Sequence, residues 1–307
     1  MKICVYGCGA IGGLLAARLA RTGATVSVIA RGDHLRAIQS NGLILREGDQ
    51  ESQELVLATD SPSGLGPQDI LFLTLKSHTL PDIAPKLFSL ISPSTVVVTA
   101  ANGLPWWYFH GIADPAPELT SVDPGRLLWN NIGPEKAVGC VVYPAARVEE
   151  PGVIRHMFGE QFSIGEPTGK RTSRVMAVKT LLDNAGFDTD VSPGIRDEIW
   201  TKLVANAAFN PVSVMTGKTL GAMIDDEATY KLLADIMHEV VAVAKALDSQ
   251  PLMTPDGLLE ATRQLGDHKT SMLHDFEAGR SLELGPIVGA VVELAQHPVS
   301  YTHLRAH

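Results

Sequence analysis

Residues 2–23, "KICVYGCGAIGGLLAARLARTG", decide the fold. "KICVYG" is a short apolar strand, and "LLAARLARTG" has the spacing of an amphipathic helix closed by Gly23. Between them Gly7, Gly9 and Gly12 stand in the G-x-G-x-x-G pattern, after the strand and at the opening of the helix. The first glycine makes a tight turn, and the second lets the backbone approach a pyrophosphate. The third lets helix and strand pack closely, with the helix N-terminus facing the phosphates. Gly7, Gly9, Ala10, Ile11 and Gly12 are therefore the expected cofactor-binding residues. A glycine-rich turn in a flavodoxin-like sheet is the competing reading, and the strand–turn–helix context at the N-terminus weighs against it.

The rhythm set by this unit continues. "TVSVIA" is the next strand, and "GLILRE" and "ELVLATD" read as two more, paired as a hairpin. "DILFLTLK" (69–76) is nearly continuous apolar sequence, as in a parallel strand covered on both faces. A helix over about 79–90 leads to "TVVVTAANG", again a buried strand. Strands resume at "AVGCVVYP" and at "GVIRH…FSIGEP" after an irregular excursion over 105–135, and a helix follows at about 171–185. Ser192-Pro193 has the form of an N-cap and first helical position. Beyond it the signals are helical over 193–210, 212–223, 227–248, 256–265 and 282–296. The expected fold is α/β: an N-terminal Rossmann-type dinucleotide-binding domain (1–192) followed by an all-helical C-terminal domain (193–307).

Composition sets the outer limits. A chain of 307 residues with 45% hydrophobic and 19% charged residues has enough apolar sequence for a sizeable core, which excludes a disordered chain. A net charge of −9 leaves no basic excess to displace counterions from nucleic-acid phosphates. No apolar run approaches membrane-spanning length, and Met1-Lys2 leads into a strand without a signal-peptide layout. The three cysteines fit neither a disulfide framework nor a zinc pattern, so the expected location is cytoplasmic, with no metal, nucleic-acid or membrane partner.

The cofactor's identity is read at the end of the second strand. An NAD site usually has an acid there for the ribose hydroxyl, whereas an NADP site has a cation for the 2′-phosphate. "VIARGDH" places Ala30 and then Arg31 at this point, with Asp33 as a turn residue beyond, so NADPH is the expected cofactor. Lys76 and Asn102 each follow a buried strand, at the carboxyl ends where open α/β sheets bind ligands.

The helical half carries the second group of candidates. In "EIWTKLVANAAFNP" (198–211), Lys202, Asn206 and Asn210 recur at steps of four and stack along one stripe of an otherwise apolar helix. A stripe of one ammonium and two amides on a largely buried helix needs partners. An exposed Glu198–Lys202 pair is the plainer alternative. In "HKTSMLHDFEAGRSLELG", Ser271 lies twelve residues before Glu283; helix cap and first-turn acid are their plainer roles.

Taken together, these blocks resemble the ketopantoate reductase (2-dehydropantoate 2-reductase) family. The resemblance rests on "GCGAIG", "TLKSH" with Lys76, "NG" with Asn102, "WTKLVANAAFNP", and "TSML…GR.LEL", in that order, over residues 1 to about 296. It implies NADPH-dependent reduction of a small-molecule 2-oxo acid, ketopantoate, to pantoate, a step of pantothenate and coenzyme A biosynthesis. A homodimer is admitted by the same resemblance. It further implies that the Lys202 helix lies across a domain cleft and that Lys202 is the catalytic proton donor. A lysine half withdrawn from water gives up its proton more readily, and its charge stabilises a developing oxyanion. Asn206 and Asn210 would orient substrate hydroxyl and carboxylate groups, and Ser271 would bind the carboxylate. Glu283 would take the terminal hydroxyl and pair with Lys202 in the empty site. Asn102 would sit near the nicotinamide.

Two departures stand out. Gly285 occupies a position where the family commonly has Asp, and the tail "HPVSYTHLRAH" (297–307) lacks apolar periodicity, so residues 298–307 are expected to be poorly ordered or packed differently from any family helix. Two other functions remain open on the sequence: reduction of a different branched 2-oxo acid, and cofactor binding by a catalytically silent regulator.

Overall fold

The structure, a computed structural model, describes residues 1–296; the expectation for the tail at 298–307 lies outside the described residues. The chain divides into two compact units, Met1–Ala101 with Gly125–Ile195, and Asn102–Pro124 with the residues from Arg196 onward.

The first unit opens with β1 (Lys2–Tyr6), α1 (Ala10–Arg21), β2 (Thr25–Ile29) and α2 (Gly32–Asn41). It continues through β3 (Leu43–Glu47), β4 (Gln50–Glu54), β5 (Leu57–Thr59), β6 (Ile70–Leu73), α3 (Leu80–Leu87) and β7 (Val96–Thr99). After the segment given to the second unit come α4 (Leu127–Ile132), β8 (Ala137–Val142), β9 (Ala145–Glu150), β10 (Val153–Phe158), β11 (Gln161–Gly165), α5 (Ser173–Asn184) and β12 (Asp188–Val191). Eight strands form the main sheet in the order β12-β11-β8-β7-β6-β1-β2-β5, and a four-stranded sheet has the order β4-β3-β10-β9. The main sheet is parallel throughout except where β11 runs antiparallel to β8. Central strands such as β1 and β6 are buried on both faces, which explains their unbroken apolar sequence.

Helix α1 is held by its buried leucines and by an ion-pair network around Arg18. Leu14, Leu15 and Leu19 are fully or almost fully buried. Arg18, on the same helix, bonds Glu47 and Glu160 and lies 4.7 Å from the Phe187 ring centroid. Burial alone pushes the Glu47 carboxyl up, but the guanidinium groups of Arg18 and Arg21 outweigh it and hold the carboxyl below the usual range. The network fixes the helix that presents the glycine turn.

The second unit is helical: α6 (Ile195–Thr216), whose first residue belongs to the first unit, then α7 (Leu220–Asp225), α8 (Glu227–Ala246), α9 (Pro255–Arg263), α10 (Ser271–Glu277) and α11 (Ala290–Gln296). One π-helical turn, Gly285–Gly289, leads into α11. Residues 102–124 join these helices through "PWWYF". Trp107 and Tyr108 are almost completely buried, and the Trp200 indole N–H donates to the Tyr108 hydroxyl at 2.8 Å.

The α/β class with a helical C-terminal region is as read from the sequence, and several elements differ. The hairpin partner of β3 is the polar "QESQE", not "ELVLATD", of which Leu57–Thr59 instead forms the parallel edge strand β5. An exposed strand on the small sheet carries no apolar signal. Helix α2 went unread because only Leu35 and Ile38 mark its buried face. Strand β9, mostly half-buried or exposed, escaped for the same reason as β4. Helix α6 runs through Pro211, where a break was expected, and starts at Ile195. Ser192 instead accepts from the Gly194 amide in the turn before it. Helix α10 is also additional, and the last expected helix begins as the π turn at Gly285. Among the described residues, no helix is long and apolar enough to cross a membrane.

Candidate active site

Gly7 adopts φ +110°, open to glycine far more than to other residues, and turns the chain out of β1. The Gly9 amide donates to the Gly7 carbonyl at 2.7 Å, and the Thr74 hydroxyl donates to the same carbonyl at 2.8 Å. A Cβ on Gly12 would lie 2.1 Å from the Gly7 carbonyl oxygen and 2.4 Å from the Thr74 hydroxyl, so the helix meets the turn only without a side chain. A Cβ on Gly9 would meet nothing within 4 Å. The protein's own packing leaves room there, so Gly9 fits a position that a pyrophosphate must approach. Gly9 gives α1 no side-chain cap, and the first amides of a helix, here those of Ala10, Ile11 and Gly12, have no intrahelical acceptor. The residues present fit a dinucleotide. Cys8 adds no chemistry: burial pushes its thiol up to about 12.

Arg31 stands two residues beyond β2, at the N-cap of α2, and is exposed. Asp33, the nearby acid, forms an ion pair with Arg36 one helical turn on. Lys76 is half-buried beyond β6, and its carbonyl accepts both the amide and the hydroxyl of Thr79. Leu73 and Thr99 are register partners on β6 and β7, and Lys76 and Asn102 each lie three residues further along the chain.

In the second unit, α6 carries Lys202, Asn206 and Asn210 on one stripe. Lys202 and Asn206 are half-buried and Asn210 is 4% exposed. The buried Ile199, Trp200, Leu203, Val204, Ala207, Ala208 and Phe209 surround the stripe. Arg196 fastens the start of this helix by donating to the carbonyls of Tyr108 and His110 at 2.9 and 2.6 Å. The Asn210 Nδ2 is buried without a hydrogen-bond partner. An unsatisfied buried amide donor costs about 1–3 kcal/mol, so this group has hydrogen-bonding capacity to spare.

Ser271 is the exposed first residue of α10, which Thr270 caps. Arg280 returns to Asp275 through both its side chain and its amide, each at 2.8 Å, and shapes the turn that leads to Glu283. Glu283 is 9% exposed and immediately precedes the helical residues that run through the π turn, so it is not a surface acid. A Cβ on Gly285 would stand 2.9 Å from the Ser121 carbonyl, which accounts for a glycine there.

The expected residues thus fall in two groups. Gly7, Gly9, Ala10, Ile11, Gly12, Arg31 and Lys76 lie in the first unit, and Asn102, Lys202, Asn206, Asn210, Ser271 and Glu283 in the second. Sequence reading overlooked Ser213 and Thr270, a buried hydroxyl pair 2.6 Å apart. The only trace of it in the sequence was Thr270 as a capping residue before "SML".

A parallel sheet with this glycine turn, accompanied by a helical unit bearing a lysine and two amides, defines a two-unit dinucleotide-dependent oxidoreductase. Comparison with known proteins makes this specific. Residues 3–169 match the family model "Ketopantoate reductase PanE/ApbA", and residues 194–305 match "Ketopantoate reductase PanE/ApbA C terminal", so the match extends beyond residue 296. The chain belongs to the ketopantoate reductase family, whose cofactor is a nicotinamide dinucleotide. It is 45% identical to a 2-dehydropantoate 2-reductase of Mesorhizobium japonicum over 96% of this chain and 92% of the relative. A solved structure from Ralstonia solanacearum MolK2, assigned as a ketopantoate reductase, is 36% identical with a TM-score of 0.92, covering 98% of this chain and 94% of that one. The 2-dehydropantoate 2-reductase of Geobacter metallireducens GS-15 is 25% identical with a TM-score of 0.85, covering 99% and 97%.

Proposed function

We propose that the protein reduces 2-dehydropantoate to pantoate with NADPH. The observation that carries this reading is the Asn210 amide, buried and without a partner for its Nδ2, on the same helical stripe as Lys202. It suits a small polar substrate with carboxylate and hydroxyl oxygens. When bound, the dihydronicotinamide supplies a hydride to the 2-oxo carbon. Lys202 holds a proton on Nζ for the oxygen that becomes the alcohol, and its charge stabilises the alkoxide as it forms. Asn206 and Asn210 orient the substrate, Ser271 donates to its carboxylate, and Glu283 accepts from its terminal hydroxyl. Asn102 serves the reacting carbonyl and the nicotinamide side.

Gly7, Gly9, Ala10, Ile11, Gly12 and Lys76 hold the cofactor, and Arg31 meets the 2′-phosphate. The pairing of Asp33 with Arg36 supports this assignment, since the one acid near the strand end is already engaged. The reading places the reaction in the cytoplasm, consistent with three buried free cysteines. The test is NADPH oxidation with ketopantoate beside a panel of other 2-oxo acids. A kcat/KM highest for ketopantoate is expected. A higher value for another acid would replace the substrate, and tight NADPH binding without turnover would replace the enzyme by a regulator.

A further inference from the structure

We propose that Ser213 and Thr270 are positioning residues for substrate binding: their buried hydroxyls fasten the Ser271 end of α10 to the Asn210 turn of α6. The inference rests on the reading of Asn210 and Ser271 as substrate ligands. Ser213 is fully buried and Thr270 is 7% exposed. The Ser213 hydroxyl donates to the Asn210 carbonyl at 2.7 Å. Its single proton is thereby used, so in the 2.6 Å contact between the two hydroxyls Thr270 is the donor and Ser213 the acceptor. The Thr270 oxygen in turn accepts the Leu273 amide at 3.0 Å as the cap of α10. The result is a one-way chain of three hydrogen bonds, from the Leu273 amide through Thr270 and Ser213 to the Asn210 carbonyl. Consecutive bonds of this kind polarise one another and hold a fixed geometry.

The chain ends are the point of interest. One end is the backbone of Asn210, whose side-chain Nδ2 is buried without a hydrogen-bond partner. The other is the Leu273 amide, and Thr270 and Leu273 flank Ser271 at the start of α10. The turn carrying Asn210 is also where Pro211 removes a backbone donor from α6, so its position depends more than usual on side-chain bonds. Ser213 supplies one such bond and Thr270 relays it, setting the spacing between two groups read as substrate ligands.

Thr270→Val keeps the shape and removes the hydroxyl, Thr270→Ser restores it, and Ser213→Ala breaks the same chain from the other side. The expected result is a KM for ketopantoate raised about 3- to 10-fold in T270V and S213A, the loss associated with one neutral hydrogen bond. The kcat should stay within about twofold and NADPH affinity unchanged, with T270S close to wild type. Because the effect runs through Ser271, adding T270V to S271A should raise KM no further than S271A alone. A lowered melting temperature in T270V and S213A with wild-type KM would overturn the proposal, as would a T270S variant as impaired as T270V or additive effects in the double variant. A raised KM in S271A with none in T270V or S213A overturns this proposal alone. An unchanged KM in S271A overturns the substrate role of Ser271 and the proposal with it.

Discussion

The Leu104 amide donates to the Pro286 carbonyl at 2.9 Å, and this bond ties the turn after Asn102 to the turn after Glu283. Gly103 makes the approach feasible: at φ +90° a Cβ there would stand 2.6 Å from the same carbonyl oxygen. A second tie lies a few residues further along both segments. The Glu293 carboxylate accepts the Thr120 amide and hydroxyl at 2.8 and 2.9 Å and the Ser121 amide at 2.9 Å. Two candidate site residues far apart in sequence are thus framed by one backbone contact and one carboxylate.

The Glu293 tie should be sensitive to acid. Burial pushes this carboxyl up, but the hydrogen bonds from Ser121 and Thr120 outweigh it and leave it below its ordinary range. A carboxyl depressed in the folded state adds stability that is complete above the unfolded value, about 4.3, and is lost as pH falls through the folded value. Melting temperature should therefore fall between pH 5 and 3 more steeply in the wild type than in Glu293→Gln. Parallel profiles measured by scanning calorimetry would show that Glu293 bears none of this load.

The glycine turn separates packing from binding. Gly12→Ala forces a Cβ to within 2.1 Å of the Gly7 carbonyl, so it should lower both melting temperature and cofactor affinity. Gly9→Ala meets no protein atom within 4 Å, so its melting temperature without cofactor should match the wild type while its NADPH Kd rises at least about tenfold. Thermal melts and cofactor titrations on both variants check the contrast. Wild-type NADPH affinity in G9A would mean that no phosphate passes over Gly9.

The proposed role of Arg31 is to favour NADPH over NADH. Arg31→Ala should weaken NADPH by roughly 10- to 100-fold, the range for losing a charge-assisted contact to phosphate, and leave NADH nearly unchanged. Fluorescence titration with each cofactor decides it, and equal losses for the two would assign the arginine another task.

How much of this was legible beforehand depended on what a residue pattern can encode. The strand–glycine–helix unit at residues 2–23 and the three-residue stripe at steps of four on α6 follow local rules of spacing, and both appear where the spacing places them. Exposed strands such as β4 leave no period-2 signal because neither face is apolar. Pro211 read as a break, yet surrounding buried residues on both sides carry α6 past it. The membership of 102–124 in the helical unit was invisible, since it depends on contacts such as Tyr108 with Trp200, 92 positions apart. The hydroxyl pair of Ser213 and Thr270 was hidden for the same reason.

The central claim is that Lys202 supplies the proton. Steady-state and single-turnover kinetics of Lys202→Ala with ketopantoate and NADPH test it most directly. The account predicts a kcat lower by on the order of 10²–10⁴, the usual range for removing a general acid, with NADPH affinity close to wild type. A K202A variant that retains most of its kcat would contradict the account.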